Sequence, residues 1–174
     1  MKLLASAGLA FGVMIGLIIC VILFKIANSD KKVMTSYDER QEAIRGKGYK
    51  YAFYTAMGLE VVDICLEIGE FQFPIGAHLV HFFIMLFSLM VLCIYCIWKG
   101  AYWGLNNNRK AYSVIIVVAV VLNVFPVAMA VLHGNFAAEG FDSLPVFNVM
   151  VLIWLAIIGA SAVVKKLVDG KEDD

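Results

Sequence analysis

Long runs of apolar residues constrain the fold of this chain more than any other feature. Each run has the roughly 20 residues that an α-helix needs to cross the hydrocarbon core of a bilayer. The chain is 62% hydrophobic, whereas soluble domains are nearer half apolar. The sequence therefore predicts an all-α, polytopic membrane helical bundle that occupies residues 1–174 as a single domain. Four of its spans lie at about 4–27, 76–98, 113–132 and 144–164.

A fifth span is predicted at about 51–70, although this segment contains acidic residues. An acidic residue at the centre of a spanning helix costs about 2.5–3.5 kcal/mol on insertion scales, so hydropathy argues against this span. The distribution of positive charge argues for it. With five spans and the amino terminus outside, 13 of the 14 basic residues are cytoplasmic and only Lys2 is outside. Without this span, seven basic residues lie on each side, so the positive-inside rule favours five spans.

The five-span topology defines the segments outside the bilayer. It predicts cytoplasmic loops at 28–50 and 99–112 and a cytoplasmic tail at 165–174. The chain is then expected to be a multi-pass protein of the cell membrane, with the lipid bilayer as a partner. The net charge is zero and the basic residues are spread over several loops, so no direct nucleic-acid binding is expected.

The acidic residues of the predicted second span fall on one narrow face. At about 100° per residue they occupy an arc of about 80°. Intramembrane carboxylates normally face a bundle interior or a water-filled cavity. One interpretation is a proton or cation path open to the outside; the other is a hydrated face at the outer end of a tilted helix. The second is favoured because the spans offer no Lys or Arg as a counter-charge. The residues concerned are Glu60, Asp63, Glu67 and Glu70.

All three histidines lie towards the predicted outer side. His78 and His81 are one turn apart at the start of the third span, and His133 ends the fourth. Imidazole with carboxylate suits zinc and similar ions, so the histidines are weak candidates for an outward metal site. The pattern lacks the two ligands and base of an HExxH motif, and interface chemistry is the favoured interpretation. We therefore expect neither a resident metal nor a cofactor. The nearby carboxylates would be Glu67, Glu70, Glu139 and Asp142.

A strip of glycines follows one side of the first span at Gly8, Gly12 and Gly16. Small residues let membrane helices approach closely. Close packing matters there because the hydrophobic effect does not drive helices together in lipid. The strip predicts either a homo-oligomer interface or, as favoured, packing against another helix of the same chain. In the fourth span, Asn123 is expected to bond to a neighbouring helix and Pro126 to kink its own.

The loop after the first span holds a distinctive polar segment. Ser36 and Glu39 form a candidate capping box, so a short helix is expected to begin there. Gly46 and Gly48 predict that this helix breaks before the second span.

The polar segment also carries a resemblance. Asp38-Glu39-Arg40-Gln41, the following run 45–53, and the run 97–106 in the next loop resemble the two cytoplasmic loops of a group of small multispanning proteins in Gram-positive bacteria. The order of spans also matches over most of the chain. Many members of that group are encoded beside short helix-turn-helix regulators. The resemblance therefore implies a membrane partner for a soluble regulator, and it implies no catalytic residues.

Two functions compete at this point. The first is a non-enzymatic regulatory or accessory protein that binds a partner through its cytoplasmic loops. The alternative is a small proton- or cation-coupled transporter or channel that uses the acidic face of the second span. An enzyme is not expected, because no paired nucleophile and base and no phosphate-binding glycine loop is evident. The candidate docking residues are Asp38, Glu39, Arg40, Gln41, Arg45 and Lys47.

Overall fold

The computed structural model describes residues 2–71, 73, 75–134 and 144–172. Among these residues there is no strand, only an isolated bridge between Asn28 and Asn107. The predicted all-α class is therefore confirmed. The described residues form five helices, namely α1 (Lys2–Ala27), α2 (Glu39–Ile68), α3 (Ala77–Trp98), α4 (Arg109–Leu132) and α5 (Leu144–Glu172).

Within the described parts of the chain, three helical segments are long and apolar enough to cross a membrane, and they form α3, α4 and most of α5. The apolar stretch Met14–Ala27 of α1 is shorter. On α4 no residue is buried, and Leu122 and Phe125 are 66% and 65% exposed. Helices with so much open apolar surface require an apolar environment around them, as a bilayer provides.

The helices and loops group into two compact units. The first comprises Met1–Asp38 and Trp103–Val117; the second comprises Glu39–Tyr102 and Val118–Asp174.

In the first unit, Asn108 joins the end of α1 to the start of α4. Its backbone N–H donates a hydrogen bond of 3.0 Å to the carbonyl of Ala27, the last residue of α1. Its side-chain oxygen accepts hydrogen bonds from the backbone N–H groups of Lys110 (3.1 Å) and Ala111 (3.3 Å). Asn108 is therefore the N-cap of α4, because these are the donors that a helix leaves unpaired in its first turn.

Two buried asparagines connect the segment after α1 with the segment before α4. Asn28 accepts hydrogen bonds from the side-chain amide of Asn107 (2.8 Å) and from the hydroxyl of Tyr112 (3.0 Å). Asn106 accepts one from the backbone N–H of Ser36 (2.8 Å). Buried amides are costly without partners, so this network holds the two segments in one arrangement.

In the second unit, α2 and α3 form an antiparallel hairpin. Near one end Tyr51 packs edge-on against Tyr95, with ring centroids 5.2 Å apart, and near the other end Glu60 meets His81. The helices approach closely at Gly48, where an added Cβ would lie 2.9 Å from a side-chain carbon of α3.

The helix break predicted at Gly46 and Gly48 is wrong. α2 is continuous and begins at Glu39, well before the predicted start of the second span at 51. The physical reason is packing: Gly48 is buried against α3, so the missing side chain allows a close approach instead of ending the helix.

α3 also packs against α5, and the two helices run in the same direction. Near their amino-terminal ends, Phe147 lies against His78 and Phe82, with ring centroids 5.7 and 4.9 Å apart. Further along, the indole N–H of Trp98 donates a hydrogen bond of 3.1 Å to the hydroxyl of Ser161. α3 is therefore in contact with α2 and with α5.

The carboxyl end of α2 is a Schellman motif. The backbone N–H of Phe71 donates to the carbonyl of Leu66 at 2.9 Å, and that of Glu70 donates to Glu67 at 3.0 Å. Glu70 has a positive φ of 59° and lies beyond the last helical residue. Its predicted position on the helical face is therefore wrong, because the helix has already ended.

Two further details concern α4. The amide of Asn123 donates to the carbonyl of Ala119 in its own helix at 2.8 Å, so the predicted bond to a neighbouring helix is wrong. Asn123 satisfies its donor locally because the carbonyl four residues earlier is within reach on the same helix. As a separate point, α4 continues through Pro126.

Candidate functional site

The α2–α3 hairpin brings three titratable side chains together near its turn. Glu60 and Asp63 lie in the last turns of α2, and His81 lies just after the first turn of α3. The helices are antiparallel and joined by a short connection, so positions equally far from the turn lie at equal depth. We call Glu60, Asp63 and His81 the carboxylate–histidine cluster.

The geometry of this cluster is close. Nδ1 of His81 lies 3.1 Å from Oε2 of Glu60 and 3.9 Å from Oδ2 of Asp63. One ligand-type atom from each residue lies within 4.8 Å of the other two. The same imidazole nitrogen therefore faces both carboxylates.

Asp63 is the most enclosed member of the cluster. The residue is only 6% exposed, whereas the side chains of Glu60 and His81 are 36% and 51% exposed. Its carboxylate accepts no hydrogen bond from the residues that the structure describes, and the contact of 3.9 Å with His81 is too long to be one. An ionised carboxylate is expensive to bury without donors or a cation. A positive charge that reaches this carboxylate would therefore be stabilised by it.

A cavity of about 370 Å³ adjoins the cluster through Asp63. Glu67, one turn later on α2, also lines it, and Phe71 and Phe73 form part of its wall. Asp63 is thus shared between the cluster and a space large enough for several water molecules. A cation in this cavity would meet two carboxylates before it reached Glu60.

The predicted acidic residues are therefore only partly brought together. Glu60 and Asp63 lie at the cluster and Glu67 lies at the cavity, while Glu70 is exposed in the turn beyond α2. The side chain that faces these carboxylates is the imidazole of His81, where the sequence interpretation had found no Lys or Arg. The sequence contained an indication of this contact. The connection between the second and third spans is short, so pairing of the two helices places His81 opposite the carboxylates.

The three histidines do not converge. His78 stacks on Phe147, and Nδ1 of His133 lies 2.8 Å from the carbonyl of Met129 in its own helix. His81 alone belongs to the group of possible ligands among the described residues. Glu139 and Asp142 lie outside the described residues.

The polar segment at the start of α2 has intramolecular contacts. Arg40, Gln41 and Arg45 donate to the backbone carbonyls of residues 99, 100 and 101, at 3.3, 3.4 and 3.4 Å. These carbonyls follow the end of α3, where the helix dipole favours positive charge. Arg45 also donates to the hydroxyl of Tyr49 at 2.9 Å. These three predicted docking residues therefore hold the start of α2 against the end of α3, and the predicted docking residues Glu39 and Lys47 are exposed.

The glycine strip lies in α1, and a Cβ added to Gly12 or Gly16 would meet no atom within 4 Å. Both predictions for this strip, an oligomer interface and packing within the chain, remain predictions.

Comparisons with protein-family models, curated proteins and solved structures found no match to this chain. A function for it must therefore be argued from its own residues.

Proposed function

We propose that this chain crosses the membrane five times, with its amino terminus outside and its carboxyl terminus in the cytoplasm. α2 is not apolar enough to cross by composition, but it lies along α3 from Tyr51 to Glu60. If α3 spans the bilayer, then α2, which packs along it, must cross the bilayer as well. α3 and α5 run in parallel, as two crossings separated by a single span must.

Labelling of single cysteines tests this topology in a chain whose four native cysteines are replaced by alanine. In whole cells, an impermeant thiol reagent should label His133→Cys and should not label Lys32→Cys or Lys110→Cys. Lys110 is decisive, because its loop is outside if α2 does not cross. Labelling of Lys110→Cys in intact cells would show that α2 stays on one side.

We further propose that the protein binds and conducts a cation, or a proton, through the outer part of the α2–α3 hairpin. The observation that carries this proposal is the buried Asp63 carboxylate, which lacks a hydrogen bond among the described residues and borders an open cavity. Intramembrane carboxylates with this arrangement are typical of ion pathways and proton relays. Glu67 would attract the cation into the cavity, and Glu60 with His81 would receive it next.

Ion flux through the full-length protein in liposomes tests this function. A gradient of protons or divalent cations is applied, and entry is followed with an enclosed dye. Glu60→Gln and Asp63→Asn should abolish flux, whereas Glu42→Gln, which removes a carboxylate from the opposite end of α2, should not. Equal flux in wild type, Glu60→Gln and Asp63→Asn would disprove the proposal.

A second candidate is docking of a soluble regulator at the cytoplasmic face, as the resemblance implies. The specific observation in its favour is that Glu39 and Lys47 are exposed beside a region held by Arg40 and Arg45. Substitution of either arginine would disturb the fold as well as a partner. Lys47→Glu is the cleaner probe: co-purification of a helix-turn-helix protein should be lost in Lys47→Glu with normal expression. Recovery of no such protein with wild type under mild extraction would count against this candidate.

A further inference from the structure

We infer that Glu60, Asp63 and His81 ligate a divalent transition-metal ion, with Zn²⁺ as the type of ion that the ligand set suits. This inference rests on the proposed cation role of the same hairpin and names the cation. The candidate ligand atoms lie within 4.8 Å of one another and come from two helices that pack together over much of their length.

The ligand types select the class of ion. One imidazole nitrogen and two carboxylate oxygens suit Zn²⁺ and similar ions, whereas Mg²⁺ and Ca²⁺ prefer oxygen alone. Three protein ligands leave a fourth position open, as in zinc sites that exchange a ligand or water. The cavity of about 370 Å³ beside Asp63 provides the approach to that position.

Charge balance supports a doubly charged ion. Metal ligation takes a carboxylate in its ionised form and an imidazole in its neutral form, so two carboxylates and one imidazole balance the charge of a divalent cation. Asp63 is 6% exposed and lacks a hydrogen-bond donor among the described residues, so it gains most from a metal bond. Ligands at about 2.0 Å from zinc in a tetrahedron lie roughly 3.3 Å apart. Small side-chain rotations are therefore enough to close the group around an ion.

The test uses the full chain in lipid nanodiscs, purified with a tag that contains no histidine and stripped with a chelator. Zn²⁺ affinity is measured by competition with a chromophoric chelator. One Zn²⁺ should bind per chain, and Glu60→Gln, Asp63→Asn and His81→Gln should each weaken binding by at least about tenfold, the lower range for loss of supporting groups around a metal.

Two matched controls separate ligation from general acidity or histidine content. Glu42→Gln removes a carboxylate from the opposite end of α2, and His78→Gln removes the histidine one turn earlier on α3. Both should bind Zn²⁺ as wild type does. Unchanged affinity in all three ligand variants, or an equal loss in the two controls, would overturn the inference.

Co²⁺ in place of Zn²⁺ provides an independent spectroscopic readout. Wild type should give visible d–d bands without a thiolate charge-transfer band, and His81→Cys should gain that band while retaining the ion. A thiolate band in wild type would assign the metal to one or more of the four free cysteines and overturn the inference. Circular dichroism of each variant ensures that weak binding is not a loss of folding.

The outcomes also separate this inference from the proposed function. Zn²⁺ binding at the three residues without flux would uphold the metal site and disprove conduction. Proton flux that depends on Glu60 and Asp63, in a protein that binds no Zn²⁺, would uphold the path and disprove the metal site.

Discussion

Asn107 donates its side-chain amide to the side-chain oxygen of Asn28 at 2.8 Å, although the two residues lie 79 positions apart in the chain. Asn28 is 2% exposed, and its own amide donates to the carbonyl of Lys32 at 2.8 Å. The polar segments after α1 and before α4 are therefore one structure. Asn106, at the end of the polar run 97–106, also joins this network, so this part of the loop has a role in folding.

Asn28→Ala should lower the free energy of unfolding by about 1–3 kcal/mol, because it removes the buried acceptor that the half-buried Asn107 amide and Tyr112 hydroxyl share. Denaturant titration in detergent micelles, followed by tryptophan fluorescence, measures the change. Asn123→Ala is the matched control, since that amide bonds only within its own helix, and it should cost less. Equal losses in the two variants would contradict a special role for Asn28.

Gly104→Ala should be strongly destabilising. A Cβ at this position would lie 2.7 Å from the carbonyl oxygen of Ser36, and the methyl group of Thr35 is in contact as well. The Ser36 carbonyl belongs to the backbone and cannot move aside cheaply. Thermal unfolding should show a lower midpoint, and Thr35→Ser should restore part of the loss by removing the methyl group.

Gly46→Ala gives the opposite expectation and serves as the control for Gly104. Gly46 lies within α2, and a Cβ there would meet nothing within 4 Å. Alanine should therefore raise the free energy of unfolding by about 0.5–1 kcal/mol, because it has the higher helix propensity. A destabilised Gly46→Ala protein would mean that this side of α2 is covered in the membrane.

Glu70→Gly should stabilise the protein by about 1 kcal/mol, because Glu70 adopts a left-handed conformation that costs an L-residue roughly this amount. The gain should appear as a higher unfolding midpoint. Glu70→Ala keeps the Cβ and loses the same carboxylate, so it should not stabilise. If Glu70→Ala stabilises as much as Glu70→Gly, relief of charge repulsion is the cause and the backbone argument fails.

Stability should depend on pH through Asp30. A hydrogen bond from the backbone N–H of Lys32 (3.0 Å) lowers the pKa of the Asp30 carboxyl below its ordinary value, and the Asn106 amide adds to this effect. Because the folded pKa lies below the unfolded one, the ionised carboxylate stabilises the protein above the unfolded pKa, near 4. This contribution is lost as the pH falls through the folded pKa. The difference in unfolding midpoint between wild type and Asp30→Asn should therefore be constant above about pH 5 and shrink as the pH falls below about 4. A difference that is constant with pH would contradict the assignment.

The sequence predicted helices well and their boundaries less well. The apolar runs correspond to α1, α3, α4 and α5, since a run of this length can hide its backbone polar groups only as a helix. Local rules failed where packing competed with them. Gly48 looked like a helix breaker but lies at a close approach of two helices, and Asn123 looked like an interhelical donor but bonds to its own helix.

The candidate site was partly predictable. The carboxylates on α2 were identifiable because acidic residues in an apolar setting are costly and therefore conspicuous. Their partner was not, because His78, His81 and His133 have the same chemistry and only the pairing of α2 with α3 distinguishes them. Likewise, Arg40 and Arg45 were identifiable as a polar pattern, but their contacts at the end of α3 depend on tertiary structure.

By itself, the sequence determined that this chain is helical and suited to a membrane. The reason is that the length and apolarity of a segment are local properties, and they decide whether that segment is stable as a helix in a bilayer. It also singled out the second span as the segment that fits this rule worst. Only the tertiary structure decided what compensates for that misfit. The acidic turns of α2 lie against α3, where His81 meets Glu60 and Asp63, and the energy of a buried charge depends on neighbours that are distant in the chain.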